Sequence, residues 1–216
     1  LTTSGGMALA EDTATRWQEV TQTTILEGYG LTETSPVVSA NTPDNCQLGT
    51  IGLPLPDTEC KVINTAGETL HGGEEGELCV RGPQVMQGYW QCPEETEKAI
   101  DSDGWFKTGD IATIQGDGFI RIVDRKKDMI IVSGFNVYPN EIEGVLVSHP
   151  EIIEAAVISI PDPSTGEAVK AFLVLAKGSD LDDEAITASC KQPLAPYKVP
   201  HPYKYRSELL KTPDGK

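Results

Sequence analysis

Long apolar runs are missing from this sequence. The longest, residues 171–176, covers six positions, against the roughly 18 to 20 that a bilayer-spanning helix needs, so a membrane-spanning helix is excluded. Aromatic residues are scarce at 6%, but the 38% of apolar residues is enough for one or two small cores, and 23% charge is ordinary for a folded domain, which excludes intrinsic disorder. Basic residues are outnumbered, 17 Lys and Arg against 33 Asp and Glu, for a net charge of −16. That balance repels phosphate and argues against a nucleic-acid surface. The deficit is uneven: residues 1–125 hold 7 basic against 20 acidic side chains, residues 126–216 hold 10 against 13, and residues 191–216 invert to 6 against 2. The tail lysines read mostly as solvated. Five cysteines are present, the closest pair (Cys79 and Cys92) 13 positions apart, so neither a CxxC metal knuckle nor a disulfide frame is written here, and a reducing compartment is the simpler reading. His71, His149 and His201 show no ligand spacing. From Leu1 onward there is no initiating Met and no basic-then-apolar leader pattern, and the start reads like the middle of something, which suggests a fragment.

What is present is turn chemistry, with 21 Gly and 15 Pro. Met7, Leu9, Ala14, Trp17 and Val20 recur at roughly helical spacing, so residues 7–20 are predicted to form a helix with Glu11 and Asp12 near its start. Ile25 and Leu26 lead into a predicted turn at Gly28-Tyr29-Gly30, and residues 41–56 read as an irregular loop. Residues 59–63, 77–80, 110–114 and 119–123 carry strand patterns around the Gly72-Gly73 and Gly116-Asp117-Gly118 turns, which predicts a small antiparallel barrel or sandwich. The pattern changes at Asp124-Arg125-Lys126-Lys127-Asp128. Beyond it come a strand at residues 129–132, a helix entered at Pro139, strands at 155–160 and 169–176, a helix from about Asp182, a Pro-punctuated stretch and a last strand near 203–207.

Three stretches ask for more than folding. Tyr29-Gly30-Leu31-Thr32-Glu33 places an aromatic ring, a flexible glycine, a hydroxyl and a carboxylate together, a set able to stack a base, donate to phosphate and ligate Mg²⁺. It also fits a glycine turn before a capped element. Asp110, after the Gly109 turn, is placed to accept hydrogen bonds from a ribose diol, or to serve as an ordinary turn aspartate. The charged run 124–128, followed by an apolar strand that breaks at Ser133-Gly134, suits a swivel with a close backbone approach, or a solvated linker before a hairpin.

Taken together and in this order, the three stretches resemble the adenylate-forming enzymes: acyl-CoA synthetases, adenylation domains of peptide synthetases and beetle luciferases. The likeness runs from Ser4 to Lys216. The wording of Glu27-Gly28-Tyr29-Gly30-Leu31-Thr32-Glu33, of Arg81-Gly82-Pro83-Gln84-Val85-Met86 and of residues 124–143 is most like a bacterial long-chain fatty-acid–CoA ligase. The resemblance implies an α+β chain. Residues 1–125 would be the end of the large adenylation domain, including a small antiparallel β-barrel-like subdomain, and residues 126–216 a small, mobile α/β lid truncated at its catalytic lysine. The Ser/Thr/Gly-rich phosphate loop that such enzymes carry upstream has no match here.

The resemblance also implies roles. Tyr29, flanked by Gly28 and Gly30, lies against adenine; Thr32 contacts phosphate; Glu33 holds Mg²⁺; Asp110 takes the ribose hydroxyls; and Arg125 reaches the same ribose. Lys216 matches the catalytic lysine that bridges the attacking carboxylate and the α-phosphate. Lys127 is the hinge about which the lid turns, and Gly134 then lines the path of the CoA pantetheine arm. The expected substrates are a fatty acid, ATP and CoA, with AMP as product and no nucleic-acid partner. The expected location is the cytoplasm, where peripheral contact with the inner face of the membrane would suit a lipid-soluble substrate. Two other readings stay open: an adenylation domain that loads a carrier protein, and a non-catalytic nucleotide-binding module. By itself the chain is expected to lack ligase activity.

Overall fold

A computed structural model describes residues 1–7, 9 and 11–210, which fall into two units, Leu1–Lys126 and Lys127–Lys216. The first unit opens with strand Thr2–Ser4 (β1), helix Glu11–Thr21 (α1) and strand Ile25–Gly30 (β2). β1 and β2 pair in parallel, Thr2 with Ile25 through Ser4 with Glu27, so the chain needs a long crossover, which α1 supplies. β2 then runs antiparallel to Val37–Ala40 (β3), which pairs with Leu53–Pro54 (β4). Two expectations change here. The helix starts at Glu11 rather than Met7, and of its anticipated apolar face Ala14 is buried while Trp17 and Val20 are exposed. Steps of three residues drift backward round the helix, so Val20 sits about 120° from Ala14. Gly28, Tyr29 and Gly30 belong to β2 and are not a turn. Gly30 is required by close approach, since a Cβ there would overlap the Pro36 carbonyl oxygen.

The second sheet of this unit comprises Glu59–Ile63 (β5), Thr69–Leu70 (β6), Gly76–Arg81 (β7), Phe106–Ile114 (β8) and Ile120–Arg125 (β9), with the short helix Pro93–Ala99 (α2) before β8. Its order is β6-β5-β7-β8-β9, antiparallel throughout. No ladder joins β6 to β9 among the described residues, so the sheet is open, not closed into a barrel. Instead β9 is tied to the segment before β4: Ile51 N donates to Ile120 O at 2.8 Å and Ile120 N to Gly52 O at 3.1 Å. Leu78, Val80 and Ile120 of this sheet share a buried core with Val38 of β3. Apolar burial of this kind contributes roughly 1.5 to 3 kcal/mol per large side chain.

The second unit holds Ile130–Val132 (β10), Phe135–Val137 (β11), helix Pro139–Val147 (α3), Ile152–Asp162 (β12), Gly166–Leu175 (β13), helix Asp183–Lys191 (α4) and Tyr203–Tyr205 (β14). The sheet order is β11-β10-β13-β12, with β14 parallel to β13. Pro139 at the start of α3 presets its first turn. Asp182 caps α4 by accepting from Ala185 N at 2.9 Å. Ile142 and Leu146 of α3 and Ile186 of α4 pack onto Leu173 and Val157 of the sheet. Among the described residues no helix is long and apolar enough to cross a membrane.

Candidate active site

Tyr29, Asp110 and Arg125, far apart in sequence, converge in the first unit. Antiparallel pairing sets Asp110 of β8 directly opposite Arg125 of β9. The Tyr29 hydroxyl, on β2, donates to Asp110 Oδ2 at 2.5 Å. Burial above all, then the Asp110 charge, pushes the Tyr29 phenol far above its ordinary range, so it stays a proton donor to that carboxylate. Gly109, immediately before Asp110, has φ +75°, which favours glycine there. Its carbonyl accepts the Lys126 N–H at 2.8 Å, and Lys126 Nζ pairs with the nearly buried Glu77 at 2.7 Å. The strand segment that bears Arg125 is therefore fastened at the end of the unit. Thr108 braces the same corner: its hydroxyl donates to Leu78 O at 2.9 Å and accepts from Asp110 N at 3.1 Å.

Residues Thr32–Thr34 form a single 3₁₀ turn after β2. Of its two threonines, Thr32 is exposed and Thr34 is buried, with Thr34 Oγ1 bonded to Leu31 and to Pro36 O at 2.7 Å. Thr34, which the sequence reading passed over, is the hydroxyl that fixes the turn and presents Thr32. Glu33 accepts from the Tyr89 hydroxyl at 3.0 Å, and its carbonyl accepts Met86 N at 2.8 Å. Tyr89 is a second residue missed at the sequence level. Glu33, Tyr89, Thr108, Gly109, Lys107, Glu77 and Lys126 line an open cleft of about 570 Å³. Among the described residues no three His, Cys, Asp or Glu side chains gather to form a metal cage. Of the carboxylates on the cleft wall, Glu77 is paired with Lys126 and Glu95 with Lys98, and Glu33 fits a Mg²⁺ held partly by phosphate oxygens, the usual way that ion is bound beside a nucleotide.

Glu27 has a scaffolding position: it accepts Gly49 N at 2.8 Å, and burial raises its pKa against that bond and the Arg121 charge. Cys60 and Cys79 are pushed up to about 12 and about 11, chiefly by burial, so both are protonated, unreactive thiols at neutral pH.

In the second unit, Lys127 is the first residue, and Ser133 and Gly134 form the two-residue turn between β10 and β11 with φ of 50° and 85°. Nothing lies within 4 Å of a Cβ built on Gly134, so within its own unit the constraint on that glycine is backbone conformation, not crowding. Lys216 lies outside the described residues.

Residues 1–90 match the family described as AMP-binding enzyme, and residues 141–216 match the AMP-binding enzyme C-terminal domain. The chain is 51% identical, over its whole length, to the long-chain-fatty-acid–CoA ligase of Salmonella typhimurium and 46% identical, over 99% of its length, to that of Bacillus subtilis. It spans 38% of the length of each. Among solved structures, ATP-bound MatB from Rhodopseudomonas palustris is 36% identical with a TM-score of 0.94, covering 99% of this chain and 42% of that one. The anthranilate CoA ligase AuaEII in complex with anthranoyl-AMP is 32% identical with a TM-score of 0.87, covering 99% and 42%. Tyr29, Thr32 and Glu33 fall within the first matched range, and the whole-chain relatives extend through Asp110, Arg125, Lys127 and Gly134. With both matched ranges in chain order and whole-chain relatives on either side of the gap, the chain belongs to the adenylate-forming AMP-binding enzymes.

Proposed function

We propose that this chain is the carboxy-terminal portion of an ATP-dependent fatty-acid–CoA ligase, with residues 1–125 completing the adenylating domain and residues 126–216 forming its mobile lid. The observation that carries the reading is the meeting of Tyr29, Asp110 and Arg125 in one corner of the first unit. In the first half-reaction a carboxylate oxygen attacks the α-phosphorus of ATP, pyrophosphate leaves, and an acyl-adenylate forms. In the second, a thiol sulfur attacks the acyl carbon, AMP leaves, and a thioester forms.

The residues divide the work. The Tyr29 ring lies against adenine, while its hydroxyl holds Asp110 in position to accept both ribose hydroxyls, and the Arg125 guanidinium reaches the same sugar. Gly28 and Gly30 keep the β2 backbone narrow beside the base. Thr32 offers its exposed hydroxyl to phosphate, and Glu33, steadied by Tyr89, holds Mg²⁺. Bound there, the ion would offset charge on the phosphate oxygens. Lys216, carried on the lid, is the cation for the attacking carboxylate and the α-phosphate, and one such preorganised contact is typically worth about 3 to 4 kcal/mol. Turning at Lys127 withdraws it and brings the Ser133-Gly134 turn to the path of the thiol.

The names of the curated relatives favour a long-chain acyl substrate and CoA as acceptor. ATP and CoA as substrates favour the cytoplasm, and a lipid-soluble acid favours transient contact with the inner membrane face. A carrier protein presents the same pantetheine thiol and is the competing acceptor. The test is the full-length protein with ATP and a panel of carboxylates, followed by pyrophosphate release and by thioester formation on CoA or on a carrier. Carboxylate-dependent pyrophosphate release with CoA-thioester formation is expected. Pyrophosphate release without acylation of free CoA would favour the carrier reading, and no release at all the non-catalytic one. Residues 1–216 alone are expected to be inactive.

A further inference from the structure

The hairpin of β10 and β11 buries Ile130, Val132 and Val137 in the core of its unit, but its turn end has few hydrogen bonds to the rest of the sheet among the described residues. Among the described residues β10 pairs with β13 at a single position, Val132 opposite Gly166, and Ser133 N donates to Thr165 O at 2.9 Å. Side chains add two more ties. Phe135 stacks on Tyr197 with ring centroids 4.7 Å apart. Glu167, next to the single paired position on β13, accepts Ile131 N through Oε2 at 2.6 Å and the Ser159 hydroxyl through Oε1 at 2.5 Å. One carboxylate therefore fastens β10 to β12 two residues from Ser133 and three from Gly134. Both bonds favour the charged form and hold the Glu167 carboxyl below its ordinary range.

We propose that Glu167 is the positioning residue of the Ser133–Gly134 turn, holding it in the shape that the acceptor thiol must pass in the second half-reaction. The inference rests on the reading of Gly134 given above. When the side chain is cut back to alanine, Ile131 N loses its acceptor, and the turn itself then rests on the Val132–Gly166 pairing with its Ser133–Thr165 bond and on the Phe135–Tyr197 stack, while Ile130, Val132 and Val137 keep the hairpin anchored in the core. Tyr29, Thr32, Glu33, Asp110 and Arg125 belong to the other unit and keep their own bonds. A small displacement at a reacting path costs far more rate than stability.

The test uses full-length Glu167→Gln, Glu167→Ala, Ser159→Ala and Gly134→Leu. Pyrophosphate release without acceptor, thioester formation over a range of CoA concentrations, and thermal melting are measured for each. Glu167→Ala is expected to keep pyrophosphate release within about twofold of wild type while thioester formation falls about tenfold or more, chiefly through a raised KM for CoA, and Glu167→Gln, whose amide oxygen can still accept Ile131 N, is expected to recover most of that loss. Ser159→Ala, which leaves the Ile131 bond in place, is expected to lose less than about threefold. A purely structural role would lower both half-reactions together with the melting temperature. If Gly134→Leu separates the half-reactions and Glu167→Ala does not, the assignment of Glu167 is overturned and the reading of Gly134 stands. If Gly134→Leu lowers both equally, the reading of Gly134 falls and takes the Glu167 proposal with it.

Discussion

The Tyr29 hydroxyl donates to Asp110 Oδ2 at 2.5 Å, joining strands of two different sheets across 81 positions of sequence. A phenol kept protonated by burial and by the neighbouring carboxylate charge acts as a fixed donor that sets the direction of that carboxylate. Asp110 is also the register partner of Arg125 across the β8–β9 ladder. An aromatic side chain and its acceptor thus meet beside the strand that carries Arg125.

Tyr29→Phe keeps the ring and removes the donor. Hydrogen bonds to charged groups are worth about 1.5 to 3 kcal/mol, so in the full-length protein the KM for ATP is expected to rise on the order of tenfold, with melting temperature little changed. Steady-state pyrophosphate release checks this, and an unchanged KM would remove the orienting role.

Lys127→Pro is expected to trap the lid in one orientation, because proline fixes φ at the proposed pivot. One half-reaction should survive and the other be lost in the full-length protein. Retention of both, measured by pyrophosphate release and thioester formation, would dismiss Lys127 as the hinge.

Leu78 and Leu173 are fully buried, one in the core of each unit. Truncation to alanine removes transferred area and leaves a cavity, so Leu78→Ala and Leu173→Ala are each expected to cost about 2 to 5 kcal/mol. Urea denaturation of the full-length protein, with a spectroscopic probe in each unit, is expected to show the loss in the unit that carries the change. A cost under about 1 kcal/mol would contradict the assigned cores.

Asp162 accepts four hydrogen bonds through Oδ1, from the backbone and hydroxyl groups of Ser164 and Thr165. Those bonds hold its carboxyl well below the usual range, and Glu167 is lowered in the same way by Ser159 and then Ile131. A depressed native pKa adds stability that is present above the unfolded value of about 4 and is lost as pH falls through the native value. Amide-exchange protection at residues 152–175 is therefore expected to decline on acidification below about pH 4, and to decline less in Asp162→Asn. Identical acid profiles for the two proteins would refute the linkage.

Much of the fold was legible where local chemistry and tertiary role agree. Alternation marked β5 and β9, Pro139 marked the start of α3, and the acids at 182–184 marked the start of α4. β2 was misread because glycine signals both turns and close approach, and Gly30 serves the second. α2 escaped notice because it buries no residue; its only signature is Pro93 followed by Glu94 and Glu95, with Lys98 in the last turn. In the site, the Tyr29–Asp110 and Tyr89–Glu33 contacts span 81 and 56 positions and leave no local trace. Only resemblance to a family brought Tyr29, Asp110 and Arg125 together beforehand. Which of Thr32 and Thr34 faces inward is decided by the 3₁₀ turn, which buries Thr34.

The central claim is that one adenosine sits among Tyr29, Asp110 and Arg125, and its most direct test is a crystal structure of the full-length protein with a non-hydrolysable acyl-adenylate analogue. The expected result has the Asp110 carboxylate within about 3 Å of the ribose hydroxyls, the Tyr29 ring beside the adenine, and the Arg125 guanidinium on the same sugar. An analogue bound with its ribose beyond hydrogen-bonding reach of Asp110 would contradict it.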